Sequence, residues 1–265
     1  MYVEAQGTGP VLLLIPGGPA DGTVFTAMLP ALSSRYRVVT YDPRGLYRST
    51  IDDGGDIAVQ RHSDDAYRVL DSVTSDPALI FASCGGAITA LDLIATHPGR
   101  VRALIAHEPP LLELLPDKAR QHAAISSLCE VAQNHGAQEA MLRLIAHFGW
   151  EEDRRLSHSQ PRPRASATNA ARRGNNIELL FTRMLRPMTK YRPNHVALRS
   201  AAATIIVASG TDSAGQLAYR TTQTLAGELG TTIRHYPGGH GGFIQQPQHF
   251  AAKLITDLAE AVAPN

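Results

Sequence analysis

Cys84, Asp212 and His240 are the side chains of this sequence whose types and order suit acyl transfer. That chemistry needs a nucleophile, a base to take its proton, a carboxylate to orient the base, and donors for a developing oxyanion. Cys84 lies in Ala82-Ser83-Cys84-Gly85-Gly86, after the apolar stretch Ala78–Phe81 and before the helical run Ala87–Ala95. A buried strand that enters a small-residue turn and then a helix lifts one side chain to the tip of a sharp bend. There, the backbone N–H groups and dipole of the helix N-terminus favour negative charge. The functional reading is a Cys84 thiolate paired with His240. A small packed cysteine is the bland alternative, but the apex of such a bend points into a site rather than into the core.

Asp212 follows the apolar run Thr204–Ala208, and His240 sits in the glycine-rich Pro237-Gly238-Gly239-His240-Gly241-Gly242 after the run ending at Tyr236. Each therefore falls at the end of a predicted strand, where open α/β sheets bind their ligands. The oxyanion donors expected are the N–H of Gly85, next to the nucleophile, and that of Gly18, in the loop after the first apolar strand. Ser83 is a weaker nucleophile candidate, because it lies one residue before the apex. Cys129 reads as a packing residue. Glu108 is an alternative acid, but reads better as a strand-end residue beside the hinge Pro109-Pro110; His107 either lines the pocket or satisfies backbone groups. Asp42 and Arg44 are expected to form an ion pair. The cluster Arg154, Arg155, Arg162, Arg164, Arg172 and Arg173 reads as solvated surface, with an anionic substrate as the rival account. Histidines number 11, but none shows zinc-ligand spacing, so no metal is expected.

These residues need a scaffold, and the chain alternates strand and helix signals to supply one. Val11–Ile15, Tyr36–Tyr41, Ala78–Phe81, Val101–Ala106, Thr204–Ala208 and Thr231–Tyr236 read as strands. Phe25–Leu32, Asp64–Val73 with Ser63 as N-cap, Ala87–Ala95, Gln216–Leu229 and Pro247–Val262 read as helices. Such alternation implies βαβ units and a mostly parallel sheet flanked by helices. From Leu111 to about Ala201 the rhythm changes. Lys118–Phe148 reads as mostly helical, Ser157–Gly174 as a mobile loop and Ile177–Leu185 as a short helix. We expect a core domain of residues 1–110 and 202–265, with 111–201 inserted as a helical cap.

The 265 residues are 43% hydrophobic and 18% charged, ordinary for a globular enzyme, and the formal charge of +1 offers nothing to a nucleic acid. No apolar run is long enough to span a bilayer. The N-terminus lacks an export-signal pattern, and the two cysteines of the chain have no framework spacing, so a reducing cytoplasm is expected.

Taken together, Pro16-Gly17-Gly18-Pro19, Asp42-Pro43-Arg44-Gly45, the Cys84 bend, Gly210-Thr211-Asp212 and Gly239-His240-Gly241-Gly242-Phe243 resemble the cofactor-free α/β-hydrolase superfamily over nearly the whole chain. Two departures stand out: Ala82 takes the place of the usual first glycine, and Cys84 that of the usual serine. The resemblance implies a hydrolase acting on an ester, thioester or lactone through an acyl-cysteine, with Cys84, His240 and Asp212 as triad. Its partner would be a small acyl substrate, free or linked to a carrier or CoA. Two rivals remain: an acyltransferase or cyclase using the same residues, and a non-catalytic ligand-binding protein.

Overall fold

The computed structural model describes residues 1–51, 54–151, 153, 155 and 167–263. Seven strands form one sheet: β1 (Val3–Gln6), β2 (Val11–Ile15), β3 (Arg37–Tyr41), β4 (Ala78–Ser83), β5 (Val101–His107), β6 (Thr204–Gly210) and β7 (Arg234–Tyr236). Their order is β1-β3-β2-β4-β5-β6-β7; β1 runs antiparallel to β3 and every other pairing is parallel. The central strands are apolar along their length because both faces are covered. Successive residues point to opposite faces. Leu13, Ile15, Ile80, Ala82, Leu104 and Ala106 enter one buried cluster, while Leu12, Leu14, Leu79, Phe81, Ala103 and Ile105 enter the other.

Helices α1 (Val59–Val73) and α2 (Gly85–Thr96) cover the first face. A 3₁₀ segment (Gly22–Met28) covers the second, together with the C-terminal helix Pro247–Ala261. Between β5 and β6 stand α3 (Lys118–His135), α4 (Ala137–Phe148), α5 (Ala167–Leu179), a π-helical turn (Leu180–Met184) and α6 (Leu185–Thr189). They close around a third cluster of Leu128, Leu144, Phe148, Trp150, Phe181 and Leu185, against which Cys84 packs.

Several sequence expectations need correction. Helix α1 begins at Val59 rather than Asp64, and Ser63 lies inside it, fully buried with Oγ 3.4 Å from Thr96 Oγ1. The last strand starts at Arg234, not Thr231. Of the expected loop Ser157–Gly174, the part up to residue 166 lies outside the described residues; from Ala167 onward the chain is helical. Arg44 pairs with Asp65 at 2.5 and 2.6 Å, not with Asp42, which instead receives Arg48.

Candidate active site

Cys84 leaves β4 with φ 55° and ψ −127°, a conformation ordinary residues avoid. It costs on the order of 1–3 kcal/mol and persists only where the surroundings impose it. Here the Cys84 N–H donates to the His107 carbonyl at 2.9 Å, and the Cys84 carbonyl accepts the Ala87 N–H at 3.0 Å. Gly17 closes the bend from the loop after β2. A Cβ on Gly17 would stand 2.4 Å from the Ser83 carbonyl oxygen and 2.5 Å from Cys84 Cβ, so only glycine fits. The strained turn leaves the Cys84 side chain partly exposed at the carboxyl edge of the sheet. Ser83 turns the other way: it is buried, with Oγ 3.3 Å from His107 Nδ1, and is thereby removed as a nucleophile candidate.

His240 is brought beside Cys84 by the loop after β7, close enough for the sulfur to act on the imidazole. Its Nδ1 donates to Glu108 Oε2 at 2.8 Å, which leaves Nε2 to face the thiol. The expectation that Asp212 orients His240 is therefore not met. Asp212 is exposed, its carboxylate accepts the Thr211 hydroxyl at 3.2 Å, and only its backbone N–H reaches the loop, donating to the Gly238 carbonyl at 3.0 Å. Glu108 occupies the place because it follows β5 directly. The parallel register Ser83↔His107 sets Cys84 and Glu108 side by side, and Glu108 too has a left-handed backbone, φ 49°. Its other oxygen, Oε1, accepts the Ser209 hydroxyl at 2.6 Å and the Gly210 N–H at 2.8 Å.

The electrostatics follow from these contacts. Burial opposes the Glu108 charge, yet hydrogen bonds from His240 and Ser209 and the nearby imidazoles hold its carboxyl well below the usual range. Burial likewise opposes a charge on His240, but its interactions with Cys84 and Glu108 outweigh it and push the imidazole up to about 10. The result is a base that readily holds a proton beside a sulfur. His107, behind them, is pushed down to about 4 by burial and stays neutral. It is the buried residue that satisfies Ser83 rather than a pocket wall.

Gly18 and Gly85 stand together: a Cβ on Gly85 would be 3.6 Å from Gly18 N. Gly85 opens α2, so its N–H has no acceptor within the helix. Among the described residues neither N–H is paired with a backbone acceptor. Both border a pocket over Cys84 with an empty volume of about 450 Å³, counting its open mouth. Met141, Leu144, Phe148, Trp150, Leu185 and Met188 supply its walls, and no charged side chain lines it among the described residues. The arrangement can take a proton from sulfur and offer two N–H groups to an oxyanion beneath an apolar enclosure.

Three positioning contacts come from the segment between β5 and β6. Asn176 of α5, buried, donates from Nδ2 to the Pro19 carbonyl at 3.0 Å and accepts the Tyr47 N–H at 3.0 Å, tying down the Gly18 loop. Asp153 accepts the Gly241 N–H at 3.1 Å and Gln245 Nε2 at 2.9 Å, tying down the His240 loop. Trp150 stacks on His240, with centroids 3.8 Å apart and planes at 13°. Sequence reading missed all three; the lone tryptophan after Gly149, at a helix end, was the one available signal. Of the arginine cluster, Arg172 sits exposed, 5.2 Å over the Tyr47 ring. Arg154, Arg162, Arg164 and the Arg173 side chain lie outside the described residues. No helix among the described residues is long and apolar enough to cross a membrane.

Comparison with known proteins agrees with this architecture. The profile of the alpha/beta hydrolase fold family matches residues 10–196. An uncharacterized hydrolase of Bacillus subtilis, YraK, is 30% identical over 259 residues, covering 96% of this chain and 90% of its own. A zearalenone hydrolase of Bionectria ochroleuca is 27% identical over 133 residues, about half of each chain (49% and 48%). Among solved structures, an esterase from Thermogutta terrifontis superimposes with a TM-score of 0.77 at 16% identity, over 99% of this chain and 94% of that one. The buried, mostly parallel sheet is what these matches share with it, and this chain belongs to the alpha/beta hydrolase fold family.

Proposed function

We propose that the enzyme hydrolyses a neutral, apolar ester or lactone through a thioester on Cys84. The observation that carries this reading is the alignment of the Cys84 thiol, His240 and Glu108 under an apolar pocket. His240 draws the thiol proton onto Nε2 before sulfur attacks the carbonyl carbon. The oxygen of that carbonyl gathers charge toward the N–H groups of Gly18 and Gly85. Collapse of the tetrahedral species breaks the carbon–oxygen bond, and the imidazolium gives its proton to the leaving alkoxide. A water molecule, deprotonated by the same imidazole, then releases the acid and restores the thiol. Glu108 stays ionised throughout, holding the ring with Nδ1 protonated. The segment 111–201 acts as a cap that sets acyl size, and its uncharged walls disfavour an ionised acyl chain.

The test is intact-protein mass spectrometry after mixing with p-nitrophenyl esters of graded chain length, with zearalenone included because relatives are named for it. The expected result is one acyl adduct mapped to Cys84, absent in Cys84→Ala, together with steady release of acid. Added thiols or amines that divert most of the acyl group at low millimolar levels would instead favour transfer over hydrolysis. Turnover that survives in Cys84→Ala refutes the proposal.

A further inference from the structure

The face of the candidate base is covered by an aromatic ring from the segment between β5 and β6. Gly149 ends α4 in a left-handed conformation, φ 82°, and turns the next residue back over the sheet edge. The Trp150 N–H then donates to the Ile145 carbonyl at 2.9 Å, fixing the turn. Phe148 backs the indole on its far side, with centroids 4.4 Å apart and planes at 21°. Phe148, Trp150 and His240 thus form a three-ring stack in which the imidazole is the outermost member.

Two consequences follow from a parallel ring 3.8 Å away. Rotation of the imidazole about its own axis would drive its edge into the indole, so the plane that aims Nδ1 at Glu108 and Nε2 at Cys84 is held sterically. The π face also attracts a cation, most strongly where water is excluded, and the His240 side chain is only 16% exposed. We propose that Trp150 is a positioning residue for His240, one that fixes the ring plane and favours the imidazolium, so that the segment carrying it governs how ready the base is. This rests on the proposed roles of Cys84, His240 and Glu108.

Other groups face His240 as well. Cys84 approaches from the bend after β4, Glu108 from the end of β5, the neutral His107 ring from 6.2 Å, and Asp153 through its bond to the Gly241 N–H. Glu108 is the charge in direct contact. Trp150 adds to its pull from the open face of the ring, where no carboxylate of the described residues is bonded.

Trp150 is the single tryptophan of the chain, so its emission reports this stack alone. A protonated imidazole quenches indole emission on contact. In the unmodified enzyme, emission is expected to be low while His240 is charged and to rise as it loses its proton at alkaline pH. In Cys84→Ala the same rise should come at lower pH. Emission that does not vary with pH overturns the inference, and this measurement needs no Trp150 variant to fold. The second arm is the alkaline pH at which His240 loses its proton, followed by NMR of the imidazole. Loss of the π face should lower the imidazole's proton affinity by roughly 0.5 to 1.5 pH units. The midpoint in Trp150→Leu should therefore lie lower by that amount, with Trp150→Phe falling between Leu and wild type. Equal midpoints in Trp150→Leu and wild type overturn the inference alone. A wild-type Cys84 no more reactive than an ordinary free thiol overturns the proposed function, and this inference with it.

Discussion

Replacing Glu108 with Gln separates the two carboxylates that could have oriented His240. Glu108 Oε1 accepts two donors, the Ser209 hydroxyl and the Gly210 N–H, at 2.6 and 2.8 Å. In Glu108→Gln the amide oxygen must take that position, because an NH₂ there would face two donors. The NH₂ is then forced toward His240 Nδ1, 2.8 Å from the present Oε2. The imidazole must accept at Nδ1 and carry its proton on Nε2, presenting a donor to Cys84 where an acceptor is needed. The ring thus loses both its tautomer and its counter-charge. Such a carboxylate-to-amide change in a triad costs about 10³- to 10⁴-fold, or about 4–5.5 kcal/mol at 1.36 kcal/mol per tenfold. The assay is kcat/KM on a p-nitrophenyl ester, with thermal melts to show that the fold survives. Asp212→Asn, assayed beside it, should stay within about threefold of wild type, since among the described residues that exposed carboxylate bonds only Thr211. Glu108→Gln with more than a tenth of wild-type activity, or Asp212→Asn with a hundredfold loss, would refute the assignment.

Three further outcomes are expected. His62 and His107 are each pushed down to about 4, chiefly by burial, while unfolded histidine titrates near 6.5. The unfolded chain therefore binds protons first, and stability present above pH 6.5 should fall between about 6.5 and 4, by at most about 1.4 kcal/mol per pH unit for each group. His240 works in the opposite sense: raised to about 10, its contribution is full below about pH 6.5 and is lost as pH climbs toward 10. Urea midpoints across this range check both limbs, and Cys84→Ala should flatten the alkaline one. Asn176→Ala releases the Pro19 carbonyl and the Tyr47 N–H while leaving the pocket walls in place. We expect kcat to fall on the order of tenfold with KM little changed, in steady-state kinetics. Gly17→Ala puts a Cβ 2.4 Å from the Ser83 carbonyl, so the bend must shift; a loss of about 1–3 kcal/mol in stability should accompany collapse of Cys84 acylation in the mass-spectrometric assay.

Most of the sheet was legible because its strands are local, continuous apolar runs bounded by turn residues, as in Val11–Ile15 and Ala78–Phe81. The Cys84 bend was legible for the same reason: strand, small-residue turn and helix are contiguous in sequence. Glu108 was misread because its role depends on register between strands. Its partner His240 is far away in the chain, and nothing local distinguishes it from any polar residue at a strand end. The one hint was topological: β5 lies next to β4, so the residue that ends it must stand beside Cys84. Asp212 drew attention through a familiar chain order, which states sequence rather than contact. The stretch from Ala167 was read as a loop for its polar composition, although α5 packs against α4 and the buried Asn176 anchors it. Helix α1 began earlier than Ser63 suggested because Val59 and His62 are buried by tertiary packing, which overrides a good capping residue.

Cys84 and Glu108 are emitted from neighbouring rungs of one ladder, each through a single residue with the same hand of backbone, φ 55° and 49°. The separation of sulfur and carboxylate is thus anchored in the ladder between β4 and β5, at the centre of the sheet. His240 alone rides on a glycine-rich turn. Two members of the site are therefore posts set in the sheet, and the third takes its place from contacts that Asp153 and Trp150 make outside it.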